Sequence, residues 1–75
     1  MSLLAKLRPL GIGDSTWIEC TYPDHIKIMR NLGARMAGRM PQDMEHCNYT
    51  TELFTCIPAR NPQGITYAVK ITRTN

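Results

Sequence analysis

The spacing of apolar residues divides the chain into an ambiguous start, one helical stretch and three alternating stretches. The helical stretch is the clearest. At about 100° per residue, Ile28, Met29, Leu32, Met36 and Met40 gather on one side, and Lys27, Arg30, Asn31 and Arg35 on the other, with Arg39 at the margin. A start signal precedes it. Thr21-Tyr22-Pro23-Asp24 has capping-box spacing, and proline is tolerated in a first turn, where its missing N–H has no partner to lose. Pro41 is the expected stop. The pattern predicts an amphipathic helix from Tyr22 to Met40.

Thr16-Trp17-Ile18-Glu19-Cys20 alternates, with Thr16, Ile18 and Cys20 set against Trp17 and Glu19. Two further runs, Thr51 to Ile57 and Ile65 to Arg73, flank a connection containing Pro58, Arg60, Asn61, Pro62 and Gly64. In the second, Ile65, Tyr67, Val69 and Ile71 point one way and Thr66, Lys70 and Thr72 the other. That is a hairpin with one buried face. The order is β-α-β-β, which predicts an α+β fold: one amphipathic helix packed on a three-stranded, mainly antiparallel sheet. Residues 14–75 form the expected domain. Residues 1–13 form an N-terminal arm, because Leu3, Leu4, Leu7 and Leu10 recur at helical spacing but Pro9, Gly11 and Gly13 interrupt them. The arm covers either the core or a partner.

At 75 residues, a single small domain with little room for a deep cleft is expected. Hydrophobic residues at 43% and charged residues at 20% argue against wholesale disorder. Three cysteines, Cys20, Cys47 and Cys56, leave an odd thiol in any disulfide set, so reduced thiols and a cytoplasmic setting are expected. The Leu-rich start is broken by Lys6, Arg8 and Pro9, which is unlike a signal peptide or a membrane span. Net charge of +3 is mild and matters only where it is concentrated.

It is concentrated on the helix. From His25 to Gln42 there is no acidic residue, while Lys27, Arg30, Arg35 and Arg39 are all cationic. Solvated helix faces usually mix signs, because Glu and Lys one turn apart support each other. A one-sign face accepts self-repulsion, and a phosphate backbone rewards it through counterion release. Gly33 and Gly38 each weaken a helix, by about 1 kcal/mol relative to Ala, and are expected where another backbone approaches closely. Arg60, Lys70 and Arg73 give the hairpin a second basic element. A plain solvated face remains the competing reading.

Catalytic and metal chemistry is poorly represented. Gly33 to Gly38 has P-loop spacing, but Arg39 and Met40 stand where Lys and Ser/Thr are needed. His46, Cys47, Cys20 and Cys56 lack the paired spacing of a zinc site. No nucleophile elbow or metalloprotease motif is present. No catalytic residue, metal or cofactor is therefore expected. The helix stretch from Ile28 to Arg39, followed by a hairpin ending Val69-Lys70-Ile71-Thr72-Arg73, resembles small bacteriophage-encoded helix-plus-hairpin proteins. The resemblance implies a bacterial or phage cytoplasmic setting, with either DNA binding or interference with a host protein. The leading expectation is a small regulatory protein that contacts nucleic acid through Lys27, Arg30, Arg35, Arg39 and Arg60. The alternative is an inhibitor or adaptor that grips a host protein through Leu3, Leu4, Leu7, Trp17 and Met40 or through a free sheet edge, with a homodimer as one form of it.

Overall fold

A computed structural model describes residues 3–57, 60 and 64–75. Its elements are α1 (Leu3–Leu7), β1 (Ser15–Cys20), α2 (Asp24–Ala34), β2 (Tyr49–Cys56) and β3 (Thr66–Arg73). β3 is the middle strand and pairs antiparallel with both neighbours, giving the order β1-β3-β2. The expected α+β architecture of one long helix on a three-stranded antiparallel sheet is what forms. The turn residues Pro58, Asn61 and Pro62 lie outside the described residues.

The register sorts the faces. Opposite one another on the helix side stand Thr16, Ile71 and Thr51, then Ile18, Val69 and Leu53, then Cys20, Tyr67 and Thr55. Val69 and Ile71 are fully buried there. They join Leu7, Leu10, Leu32, Met44, Cys47 and Tyr49 in one core, with Ile18, Cys20, Ile28, Met29 and Met40 packed around it. The arm is thus structural at Leu7 and Leu10. The expected choice for Leu7 between core and partner falls to the core, since it has no exposed surface.

Two local expectations are corrected. First, the capping box does not form. The Thr21 carbonyl accepts the Asp24 amide at 2.8 Å, so the backbone turn already satisfies the donor that the Thr21 hydroxyl would have taken. Pro23 occupies the cap position without a side-chain bond. Second, the helix reaches Arg39, two residues before Pro41 as expected, but it is regular α only from Asp24 to Ala34 and closes in a wider π-helical turn, Arg35–Arg39. Gly38 there has φ 135°, a conformation that side chains rarely adopt, and Met40 is extended. Gly38 is therefore a helix terminator. The stretch before β2 carries structure of its own. A short 3₁₀ turn at Gln42–Met44 sends Met44 into the core, with Cys47 behind it.

Candidate nucleic-acid interface

The two glycines expected to mark a close approach have different roles. Gly38 is explained by chain reversal, whereas a Cβ on Gly33 would meet nothing within 4 Å. Apart from its own stretch of helix, none of the described residues comes within 4 Å of that position.

The cations follow the amphipathic pattern. Ile28 and Leu32 turn toward the sheet, so Lys27, Arg30 and Asn31 are exposed and Arg35 is half-buried at the rim. Lys27 Nζ lies 3.9 Å from Asp24 Oδ1, an exposed pair one turn back. Among the described residues, Arg30, Arg35 and Arg39 form no ion pair. The helix end and α1 enclose an open pocket of about 290 Å³ lined by Leu3, Asn31, Ala34, Arg35 and Arg39. Its lining includes two arginines, one asparagine and no acidic residue. Arg35 Nη1 lies 3.5 Å from the Arg39 carbonyl, which holds the two arginines near each other across the turn. Leu3 supplies an apolar wall.

The hairpin cations do not join this group. Arg60 is exposed in the β2–β3 connection. That connection lies at the end of the sheet where α2 begins, because His25 stacks on Tyr67 with ring centroids 4.3 Å apart. Arg35 and Arg39 lie at the other end of α2. Arg73 is structural: Nη1 donates to the Leu10 carbonyl at 2.9 Å and Nε to the Asn75 carbonyl at 3.2 Å. Lys70 Nζ sits 5.4 Å from the Trp17 ring centroid, on the sheet face away from the helix. A second, mixed-charge pocket of about 300 Å³ contains Arg8, Asp43, His46, Tyr49 and Arg73. There Arg8 Nη1 already donates to Asp43 at 2.6 Å.

That outer sheet face was only partly anticipated. Trp17 is 51% exposed, which places it outside the core, and its ring lies 5.0 Å from that of Phe54 across β3. Phe54 was not singled out from the sequence. Alternation alone does not identify which face of an isolated strand is covered. Met40 and Leu4 are half-buried against the core. Among the described residues no three His, Cys, Asp or Glu side chains gather as metal ligands, and no helix is long and apolar enough to cross a membrane. Comparison with protein-family models, with characterised proteins and with solved structures returns no match.

Proposed function

We propose that this chain is a small phage-type regulatory protein that binds nucleic acid through the exposed face of α2. The observation that carries it is the Arg35–Arg39–Asn31 pocket, open to solvent and free of carboxylates. Two arginines lining one opening suit a phosphate oxygen pair, and Asn31 adds a neutral amide. Arg30 and Lys27 extend the cationic face along the helix and hold neighbouring phosphates less tightly, Lys27 because Asp24 competes for it. Contacts of this kind position a backbone and carry no base sequence. Arg60 and Arg73 are left out of the contact.

Fluorescence anisotropy with labelled duplex and single-stranded DNA tests it. Binding should weaken steeply with added salt, and each lost phosphate contact should flatten the log–log salt slope by about 0.7–0.9. Arg35→Ala with Arg39→Ala should flatten it by roughly two such steps without changing the circular dichroism spectrum. Absence of binding to either DNA at low salt would sink the proposal.

A second reading, a protein-binding inhibitor or adaptor, is favoured by one observation: Trp17 and Phe54 form an exposed aromatic pair on the opposite side of the sheet. Exposed aromatics of this kind serve as anchors in protein interfaces. On this reading Trp17→Ala abolishes capture of the partner in the presence of nuclease, and the Arg35/Arg39 double variant retains it.

A further inference from the structure

β2 is an edge strand without the usual protection. Edge strands are normally guarded by proline, by lysine, by a bulge or by a covering element. β2 contains no Pro, Lys or Arg, and its register with β3 runs unbroken from Tyr49 to Cys56. Its helix-side surface is covered at Tyr49 and partly at Thr51, but not beyond. Leu53 stands directly opposite Val69, which is fully buried, yet Leu53 is 44% exposed and does not belong to the core. Phe54, on the other face, is 39% exposed. The strand therefore offers unpaired main-chain groups along its free edge and an apolar side chain on each face.

We infer that β2 pairs antiparallel with β2 of a second copy, joining two sheets into one of six strands. Antiparallel pairing of identical strands is isologous, and directly opposed residues must share a face, so few registers are allowed. Centring the two-fold axis on Glu52 sets carboxylate against carboxylate, which is unfavourable. Centring it on Leu53 places Leu53 against Leu53, Thr51 against Thr55 of the second copy, and Glu52 against Phe54 of the second copy. Threonine pairs and apolar pairs are favourable cross-strand combinations, and this register leaves no like charges opposed. The two-fold axis stands perpendicular to the sheet, so both α2 helices lie on the same side. They are separated by three to four strand spacings, roughly 15–19 Å. The dimer does not depend on nucleic-acid binding, but it would present two basic helix faces in one direction.

Sedimentation equilibrium on nuclease-treated protein tests the pairing directly. The mass should rise from 8.5 kDa toward twice that value across the micromolar range. Leu53→Lys and, separately, Thr55→Lys should each hold the protein at the monomer mass with an unchanged circular dichroism spectrum. Trp17→Ser on the outer face should leave the dimer intact. In the Leu53-centred register Thr50 faces Cys56 of the second copy, so Thr50→Cys should give a disulfide-linked dimer on mild oxidation. Within one chain these positions are six residues apart on the same strand and cannot bridge. A monomer at every concentration overturns the inference. So does a dimer that survives both lysine substitutions, or a Thr50→Cys protein that forms no cross-link. Loss of DNA binding alone leaves the mass measurement unaffected, so the two failures are distinguishable.

Discussion

The two ends of the sheet are built on opposite terms. At the end marked by Ser15, Thr50 and Thr72, the strands are continued by further main-chain bonds. The Gly13 amide donates to the Arg73 carbonyl and the Arg73 amide to the Asp14 carbonyl, while Thr74 donates to Asn48 and Asn48 to Asn75. Leu7, Leu10, Leu32, Met44, Tyr49 and Ile71 pack beneath them. At the hairpin end, Leu53, Phe54, Ile57, Ile65 and Tyr22 are exposed, and on the helix side His25 stacks on Tyr67. The contrast teaches that packing is concentrated at one end of a short sheet. The first end holds the fold, and the second end, together with the outer face of α2, is open to solvent.

Truncations on one buried layer give the sharpest break of that comparison. Leu32→Ala and Leu7→Ala remove fully or almost fully buried side chains. Each should cost about 2–5 kcal/mol of unfolding free energy in urea titrations. Leu53→Ala removes the same atoms from a half-open site and should cost under about 1 kcal/mol at concentrations where the chain is monomeric. Equal costs would mean that the hairpin end is as well covered as the other, and the division would fail. A smaller contrast separates the two cations of β3. Arg73→Met leaves the Leu10 carbonyl without its 2.9 Å donor and should cost about 1–3 kcal/mol. Lys70→Met loses a cation over an exposed Trp17 ring and should cost under about 1 kcal/mol.

The architecture was legible in the sequence because each long element states its period. The helix face of Ile28 and Leu32 and the alternation of Tyr67, Val69 and Ile71 left one arrangement that buries both. What was not legible depends on what covers what. The polar stretch carrying Met44 and Cys47 has no period, so its burial shows only once the 3₁₀ turn places it. Trp17 and Leu53 sit in well-formed alternating segments, and nothing in those segments says that α2 reaches β3 but leaves Leu53 open. The basic face was legible as charge. The pocket between Arg35, Arg39, Asn31 and Leu3 was not, because it needs the wide turn at Gly38 and the packing of α1 beside α2.

Alkaline pH probes both ends at once. Burial pushes the Tyr49 hydroxyl above its ordinary range, reinforced by the neighbouring Cys47 thiol and its hydrogen bond and opposed by Arg73. Burial also raises the Cys20 thiol, with Asp24 and Glu19 adding to it. Both groups are held neutral in the folded chain, while the unfolded chain ionises them from about 8.5 for cysteine and 10 for tyrosine. Their stabilisation is therefore complete below those values and is lost as pH rises through the higher folded values. Urea midpoints should be level from neutral pH to about 8 and fall beyond it. Tyr49→Phe, at the packed end, should flatten the upper part of that fall, and Cys20→Ser its lower part. A midpoint that stays constant through pH 11 would show that neither group is shielded.

The smallest expected effect concerns Gly33, where stability and binding can be read separately. Its Cβ position is open, and α2 is helical on both sides of it, so Gly33→Ala should stabilise the fold by about 0.5–1 kcal/mol. A destabilised variant would mean that something in the folded chain occupies that space after all. Gly33 lies two residues from both Asn31 and Arg35, so it points about 160° around the helix from each. A phosphate held in the Arg35–Arg39 pocket would therefore not reach the added methyl, and DNA affinity should stay within about twofold, less than 0.5 kcal/mol. A larger loss would move the contact onto the flank that carries Arg30. The glycine would then be needed for a backbone that packs against α2 from that side, and the pocket would be a bystander.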